Sequence, residues 1–518
     1  MEERKLPAWA PTVAVAVALT ALVIGSFLQR WEMLGQSPFP VGIDGYFYPI
    51  QLRSLLEDGH LAYPASPLAF YLLAPFAAAT DPVTGAKLGT AVWTALIVLP
   101  AYGVGARLGK SRGAGLLAAA LVATSAGSQF LTFEFVKNGI GLTIGLCALW
   151  LVLRALERPT RGRIAAALLA VLAAFLTHKM AAAIVVIVAV PAAIAEAAAR
   201  GALRGRRLIY AIAAVIVLAV IAIALGAAFP ERFLSVADLS HGSGLWGPAH
   251  WDAPALITPR STLAMGHEAA IGGVLAIVAA LSLLKTVRGP LVAELGTHSR
   301  GETIAAWVVI GLALVIALPW LNVVDPQGIG FRIRIAAFLP MALCAAIAAR
   351  LVVAPIAKLI AARWSSAIRE GVLALVALVI VLAMPRYRVE GRIVAHAAMV
   401  AAVQALAGRI PEGDVAIVPE RHIAYMVVWY ARVPMRLRPD SVPRERRWRV
   451  MPLAFIRAGS PLDQALLAAR NQPTLTPPLG THPRHPNGLV LVAEPTWEWV
   501  LAQLPADVLA YYQRWPTI

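Results

Sequence analysis

The sequence predicts an α-helical polytopic membrane protein with about eleven transmembrane helices and a C-terminal α/β domain outside the cytoplasm. Two observations support this fold class. Of the 518 residues, 59% are hydrophobic and only 14% are charged, whereas a soluble domain carries about 25% charged residues. Apolar runs also recur from the N-terminus to about residue 385, beyond which charged residues become common. An ordinary cytosolic enzyme, a disordered protein and a fibrous protein are thereby excluded.

Each predicted span is an apolar run of about 15–24 residues, near the roughly 20 that a straight helix needs to cross the hydrocarbon core. The first run shows no clear small-residue cleavage site, so we expect an uncleaved helix. Pro64, Pro67 and Pro75 interrupt the stretch 58–80, which we expect to be an interfacial helix or half-helix on the external face. The spans are predicted near residues 9–28, 83–106, 113–129, 139–156, 164–177, 180–198, 208–229, 269–285, 303–321, 335–353 and 371–385.

Basic residues fall in alternate loops between these spans, and cytoplasmic loops of membrane proteins carry an excess of Lys and Arg. The rule puts the N-terminus in the cytoplasm and residues 386–518 outside. The membrane domain then covers 1–385, with external loops at 29–82 and 230–268. The net charge of +17 indicates contact with anionic membrane lipid rather than nucleic acid. The basic loops contain Arg107, Lys110, Arg112, Arg154, Arg158, Arg161, Arg163, Arg200, Arg204, Arg206, Arg207, Lys285, Arg288, Arg300, Arg350, Lys358, Arg363 and Arg369.

The region after the last span alternates predicted strands and helices, which is typical of a small α/β domain. Asp414–Val418 (DVAIV) predicts a short buried strand, and Gly488–Val492 (GLVLV) predicts a second. Residues 471–487 contain five prolines, so we expect a loop there. Helices are predicted at 390–408, 420–431 and 495–513.

Ionisable residues gather in the loops predicted to lie outside. Such groups at a membrane are expensive and tend to be functional, and acids, bases and cations at one face suggest an active site between helices. The sequence contains no GxxxxGK[ST], Rossmann or HExxH pattern, so no nucleotide cofactor is expected. A lipid-linked phosphate donor fits better. These residues are Asp44, Glu134, Lys137, Asn138, His178, Lys179, Asp238, His241, His250, Asp252, Arg260, His267, Glu268, Asp325, Arg332 and Arg334.

Asp44 stands between two glycines in GIDGYFYPI, ahead of a helical run. It is interpreted either as a helix N-cap or as a general base that takes a proton from an acceptor hydroxyl. The two roles are compatible, and a positioned base is worth roughly 10²–10⁴-fold in rate. Tyr46, His60 and Glu134 are the candidates for contacts with an acceptor or a metal ion.

The basic residues of the external loops are candidates for binding a donor phosphate, each with a structural alternative. Lys137 at the start of a span either snorkels to the interface, with Asn138 beside it as an N-cap, or meets an anionic lipid phosphate. His178 and Lys179 lie in a very short turn between two predicted spans. They are interpreted either as interfacial anchors or as ligands of the donor phosphate, and His178 alternatively as a metal ligand. Arg332 and Arg334 would face the same way in an extended segment and bind phosphate oxygens, or else anchor to headgroups.

Taken together, these segments resemble the membrane-embedded GT-C glycosyltransferases, which include oligosaccharyltransferase catalytic subunits, protein O-mannosyltransferases and aminoarabinose transferases. The resemblance covers most of the chain as architecture. The stretch GIDGYFYPIQLRSLLEDGHLAYPASPLAFYLLAPF looks like the family's first external loop, with its early Asp and amphipathic helix. Similar segments are FVKNGIGLTIGLCALWLVLRALERPTRGR, FLTHKMAAAIVV, GFRIRIAAFLPMALCAAIAARL and the C-terminal VQALAGRIPEGDVAIVP.

The resemblance implies transfer of a sugar, with inversion, from a polyprenyl-phosphate donor to a glycan, lipid or protein acceptor on the extracytoplasmic face. Asp44 matches the family's catalytic Asp, and Arg332 or Arg334 would contact the donor phosphate, together with Lys137 or His178. Glu134 matches a metal-binding acid only loosely, so a requirement for a divalent metal stays open. The sequence lacks a clear WWDYG-type motif, which argues against transfer to asparagine. The competing hypotheses are a transporter or lipid flippase and a non-catalytic scaffold.

Overall fold

The computed structural model describes residues 10–230, 244–248, 259–284, 298–323, 328–360, 365–382, 395–418, 420–434, 442–452, 456–469, 475–479 and 488–513. The chain divides into two compact units. Unit 1 takes in Met1–Gly35, Tyr63–Phe76 and Lys87–Arg388. Unit 2 takes in Gln36–Ala62, Ala77–Ala86 and Val389–Ile518. Much of the predicted external loop 29–82 therefore clusters with the C-terminal region.

Helices make up most of the described chain. In chain order they are α1 (Ala10–Leu34), α2 (Phe47–Glu57), α3 (Leu68–Ala79), α4 (Pro82–Ala95), α5 (Val98–Gly109), α6 (Arg112–Thr124), α7 (Ala126–Phe133), α8 (Val136–Glu157), α9 (Arg161–Thr177), α10 (Lys179–Ile184), α11 (Val190–Ala199), α12 (Arg206–Ala228), α13 (Pro259–Leu283), α14 (Arg300–Ala317), α15 (Ile329–Ile335), α16 (Phe338–Ile360), α17 (Ser365–Leu382), α18 (Ala397–Gln404), α19 (Arg421–Met426), α20 (Pro461–Ala468), α21 (Glu494–Ala502) and α22 (Ala506–Gln513). The π-helical segment Val185–Ala189 joins α10 to α11, and a second, Val427–Ala431, extends α19.

In the part of the chain that the structure describes, every predicted apolar run overlaps one or more of these helices. Within the described residues, six helical segments are long and apolar enough to cross a membrane, or up to eight if each bent pair is one span. The pairs are α6 with α7, bent by 47°, and α15 with the first part of α16, bent by 41°. The membrane character of unit 1 is thus clear, whereas the number of eleven spans stays a prediction.

A network of ion pairs links three helix ends at one end of the bundle in unit 1. Arg107 at the end of α5 contacts Glu157 at the end of α8 and Glu302 at the start of α14, the latter at 2.9 Å. Lys110 Nζ lies 2.6 Å from Glu302 Oε2. These three helix ends belong to the basic loops predicted to share one membrane face. Lys137 is the second residue of α8 and therefore lies about 30 Å along that helix from Glu157, at the opposite end of the bundle.

The helices α8 and α10 pack closely because α8 presents glycines where they meet. A Cβ atom at Gly141 would lie 2.9 Å from the Cβ of His178, and one at Gly145 would lie 3.0 Å from the carbonyl oxygen of Ala181. A larger residue at either position would push the two helices apart. This close approach places the turn between α9 and α10 beside the N-terminal part of α8.

Unit 2 contains a four-stranded sheet in the order β1-β2-β4-β3. Strands β1 and β2 run parallel, whereas β2 and β4, and β3 and β4, run antiparallel. The two strands predicted from the sequence, β1 and β4, are confirmed. The strands are β1 (Val415–Ile417), β2 (Arg447–Pro452), β3 (Leu475–Leu479) and β4 (Leu489–Ala493).

The structure corrects the sequence prediction at three places. Residues 475–479, predicted as loop, form β3, because an edge strand tolerates prolines that lack an N–H donor; the rest of 471–487 lies outside the described residues. The helix predicted at 495–513 is two helices, α21 and α22, separated around Pro505. Residues 259–268, predicted as external loop, are the first turns of α13.

Candidate functional site

A tight turn in unit 2 carries Asp44. The N–H of Gly45 donates to the carbonyl oxygen of Gly42 at 3.1 Å, and the N–H of Phe47 donates to that of Asp44 at 3.0 Å. Gly42 has a φ of 91°, which favours glycine. A Cβ atom at Gly45 would lie 2.8 Å from the carbonyl oxygen of Val41. Both glycines that flank Asp44 are therefore required by the backbone of the turn.

The interpretation of Asp44 as the N-cap of the following helix is not supported. The N-cap of α2 is Tyr46, which makes no side-chain capping hydrogen bond. The Oδ1 atom of Asp44 lies 3.7 Å from Nη1 of Arg421, the first residue of α19, and both side chains are partly exposed. Nothing in the local sequence distinguishes Arg421 from the other arginines of the C-terminal region.

The segment around α2 is anchored to α19 and its π-helical extension, all within unit 2. The hydroxyl groups of Tyr46 and Tyr430 lie 2.8 Å apart. Arg53 donates to the carbonyl oxygens of Trp429 at 3.1 Å and Val428 at 3.3 Å, and its guanidinium lies 4.4 Å from the centroid of the Trp429 ring. Burial, and then the hydrogen bond to Tyr430, raise the pKa of Tyr46 above its usual value, so its phenol stays protonated.

His60, a candidate for acceptor or metal contact, lies at the other end of α2 from Asp44. Asp44 precedes the helix, His60 follows it, and 11 residues span about 16 Å. The backbone oxygen of His60 accepts from Ser54 Oγ at 2.9 Å, and its side chain is exposed. Unit 2 therefore brings Tyr46 close to Asp44 but separates His60 from both.

Unit 1 brings together basic residues from three separate segments around the turn between α9 and α10. His178 in this turn is the N-cap of α10, where its Nδ1 accepts from the N–H of Met180 at 3.1 Å. Burial, followed by the positive charges of Lys137, Arg332 and Lys179, lowers the pKa of His178 to about 3. The imidazole is thus neutral beside three cations. We call Lys137, His178, Lys179 and Arg332 the cation cluster.

Aromatic rings support two members of the cation cluster. The Arg332 guanidinium lies 5.5 Å from the centroid of Phe135, and Lys137 Nζ lies 5.9 Å from that of Phe70. Both distances suit a cation–π contact. The Phe135 ring in turn packs against Phe130 at 5.9 Å. These contacts help to hold the two cations in place.

Arg332 and Arg334 do not face the same way, contrary to the expectation for an extended segment. Both lie in the helix α15, where residues two apart point about 200° apart around the axis. Arg334 is buried, and its Nη2 donates to the carbonyl oxygen of Leu318 at 3.0 Å. Arg332, by contrast, is one of the charges that act on His178. Arg334 is therefore buried against the Leu318 carbonyl, whereas Arg332 acts on His178 together with Lys137 and Lys179, so Arg332 is the stronger candidate for binding phosphate.

Lys179, Asn138 and Glu134 are further predicted site residues in unit 1. Lys179 Nζ donates to the carbonyl oxygen of Pro230 at 2.8 Å. Asn138 is buried within α8, whose N-cap is Phe135, so its interpretation as an N-cap is wrong. Glu134 is buried at the end of α7. Among the residues described, no three His, Cys, Asp or Glu side chains come together to hold a metal ion.

Only part of the external loop predicted at 230–268 is described by the structure. Glu268, predicted in that loop, lies in α13 and accepts from the N–H groups of Ala126 at 2.7 Å and Gly127 at 3.2 Å. It thereby stabilises the start of α7 at the bend between α6 and α7. Arg260 and His267 are also in α13. Asp238, His241, His250, Asp252 and Asp325 lie outside the described residues.

The fold resembles that of solved membrane glycosyltransferases. ArnT from Cupriavidus metallidurans bound to undecaprenyl phosphate matches with a TM-score of 0.51 at 14% identity, over 94% of this chain and 98% of that one. The oligosaccharyltransferase of Archaeoglobus fulgidus in the apo form matches with a TM-score of 0.57 at 13% identity, over 89% and 72%. No family model and no curated protein matches the sequence. Both solved proteins have the GT-C fold, so the predicted resemblance to that fold is confirmed.

Proposed function

We propose that this protein is an integral membrane glycosyltransferase. It moves a sugar from a polyprenyl-phosphate donor to a glycan, lipid or protein acceptor on the extracytoplasmic face, with inversion. The observation that carries the proposal is the convergence of Lys137, His178 and Arg332 at one end of a GT-C-like bundle. Three cationic or donor groups from distant segments suit an anion, and a lipid-linked phosphate is the anion available at a membrane boundary.

The cation cluster binds the donor phosphate in this proposal. The planar guanidinium of Arg332 presents paired N–H donors to phosphate oxygens, and Lys137 adds a compact charge. Because Nδ1 of His178 accepts the N–H of Met180, the neutral ring carries its proton on Nε2 and donates from there. The bound lipid in the ArnT structure supports a polyprenyl-phosphate donor for this chain.

Asp44 acts as the general base in the transfer step. The acceptor oxygen forms a bond to the anomeric carbon while the bond from that carbon to the phosphate oxygen breaks, and the carboxylate of Asp44 takes the hydroxyl proton. The polyprenyl phosphate leaves with its charge stabilised by the cations. Attack from the face opposite the leaving group inverts the anomeric configuration.

The test is sugar transfer by the purified protein in lipid nanodiscs, supplied with polyprenyl-phosphate sugars. Asp44→Asn should lower the turnover by roughly 10²–10⁴-fold and leave donor binding intact. Asp58→Asn changes a carboxylate of the same loop at the far end of α2 and serves as the matched control. Near wild-type turnover of a folded Asp44→Asn protein would refute the base assignment. Uptake into proteoliposomes without any sugar transfer would instead support a transporter.

A further inference from the structure

We infer that Arg421 is a positioning residue for Asp44, through which the C-terminal α/β region holds the base in its working orientation. The inference rests on the proposed role of Asp44 as the base. It concerns two side chains of unit 2 that are 377 positions apart in sequence and whose Nη1 and Oδ1 atoms lie 3.7 Å apart.

The length of this contact suits a positioning role. At 3.7 Å the guanidinium attracts the carboxylate through its charge but is too far for a direct hydrogen bond. Arg421 can therefore orient Asp44 without donating a hydrogen bond to it. A shorter, bidentate pair would compete with the acceptor hydroxyl for the carboxylate oxygens.

The surrounding contacts fix where Arg421 stands relative to Asp44. Two residues that follow Asp44 are tied to the same helical segment that Arg421 begins, through the Tyr46–Tyr430 hydrogen bond at 2.8 Å and the packing of Phe47 on Tyr425 with centroids 5.5 Å apart. Arg53 adds two hydrogen bonds further along this segment. Arg421 and Asp44 are therefore held by the same set of contacts within unit 2.

The ion pair between Arg449 and Glu494 in unit 2 provides a comparison, because it is shorter and more buried than the Arg421–Asp44 pair. Arg449 Nε lies 2.6 Å from a Glu494 oxygen, with both side chains largely buried. The Arg421–Asp44 pair is longer and more exposed, with side-chain exposures of 38% and 28%. Pairs of this kind contribute little to stability. A role in orienting the base therefore explains the contact better than a role in folding.

The matched control lies on the same two segments. Arg432 Nη1 is 3.6 Å from Glu57 Oε2, which makes a second ion pair of nearly equal length between the far end of α2 and the end of the π-helical extension. Substitution of Arg432 removes the same charge from the same helical segment without touching the turn that carries Asp44.

The experiment compares Arg421→Gln, Arg421→Lys and Arg432→Gln in the nanodisc transfer assay. We expect Arg421→Gln to lower kcat by roughly 10- to 100-fold, as for a reacting group displaced by a fraction of an ångström to 1 Å, with KM for the donor and the unfolding temperature unchanged. Arg421→Lys should recover most of the loss because it keeps the charge. Arg432→Gln should match the wild type.

Each contrary result has a defined meaning. Wild-type kcat in Arg421→Gln, with Asp44→Asn inactive, would overturn the inference and leave the proposed function standing. A rise in donor KM without a fall in kcat would overturn it by assigning Arg421 to donor binding. Failure of Arg421→Gln to fold would overturn it by assigning a structural role. Activity in Asp44→Asn would instead remove the proposed base.

Discussion

Arg332 and Arg334 provide a sharp test of the cation cluster because two identical side chains, two residues apart, should fail in different ways. Arg332 lies over the Phe135 ring and acts electrostatically on His178. Arg334 is buried and donates to the carbonyl oxygen of Leu318. We therefore expect Arg332→Gln to impair the reaction and Arg334→Gln to impair the fold.

The expected magnitudes follow from the lost interactions. Hydrogen bonds to charged groups are worth about 1.5–3 kcal/mol, and each 1.4 kcal/mol is tenfold. Arg332→Gln should therefore lower kcat/KM by roughly 10- to 150-fold with an unchanged unfolding temperature. Arg334→Gln withdraws the guanidinium from the Leu318 carbonyl and should lower the free energy of unfolding by about 1–3 kcal/mol.

The assay measures kcat/KM for a polyprenyl-phosphate sugar and thermal unfolding on the same nanodisc preparations. Correction for the folded fraction should return Arg334→Gln to nearly wild-type kcat/KM. If a stable Arg334→Gln protein lost donor affinity as strongly as Arg332→Gln, or if Arg332→Gln were fully active, the assignment of the two residues would be refuted.

Three further changes have defined outcomes. Gly45→Ala should displace the turn that carries Asp44 and lower kcat by roughly 100-fold, whereas Gly25→Ala, with no atom within 4 Å of the added Cβ, should be neutral; equal kcat in the two variants would contradict this. His178→Asn keeps a capping acceptor and should fold normally, whereas His178→Ala should lose about 1 kcal/mol of stability. Equal free energies of unfolding for the two variants would contradict the capping role of His178. The raised pKa of Tyr46 means that the unfolded chain ionises first above about pH 10, so stability should fall there. Tyr46→Phe should weaken that fall; stability curves of wild type and Tyr46→Phe that fall equally at high pH would contradict the reasoning.

Hydropathy located the helices of unit 1 well because a membrane span must satisfy its backbone hydrogen bonds internally. The glycines around Asp44 were also visible as a motif. The orientation of Arg334 could not be predicted, because it depends on whether the chain enters α15 as a helix or in extended form. That choice is made by tertiary contacts such as the one to Leu318.

Unit 2 was harder to predict because its contacts join distant parts of the chain. Arg53 meets Trp429 across 376 positions, and nothing in the local sequence indicates this pairing. Strand β3 was missed because its two prolines are tolerated at a sheet edge, which only the strand order reveals. Arg421 could not be predicted as a site residue, because its contact with Asp44 depends on the tertiary fold and not on the spacing of the two residues in the sequence.

Native mass spectrometry of the purified protein tests most directly the claim that the cation cluster binds a lipid-linked phosphate. We predict that a polyprenyl-phosphate lipid accompanies the wild-type protein and is lost from the folded Lys137→Gln/Arg332→Gln double variant, while Asp44→Asn retains it. Absence of such a lipid from the wild type after incubation with polyprenyl phosphate, or its equal retention by the double variant, would contradict the claim.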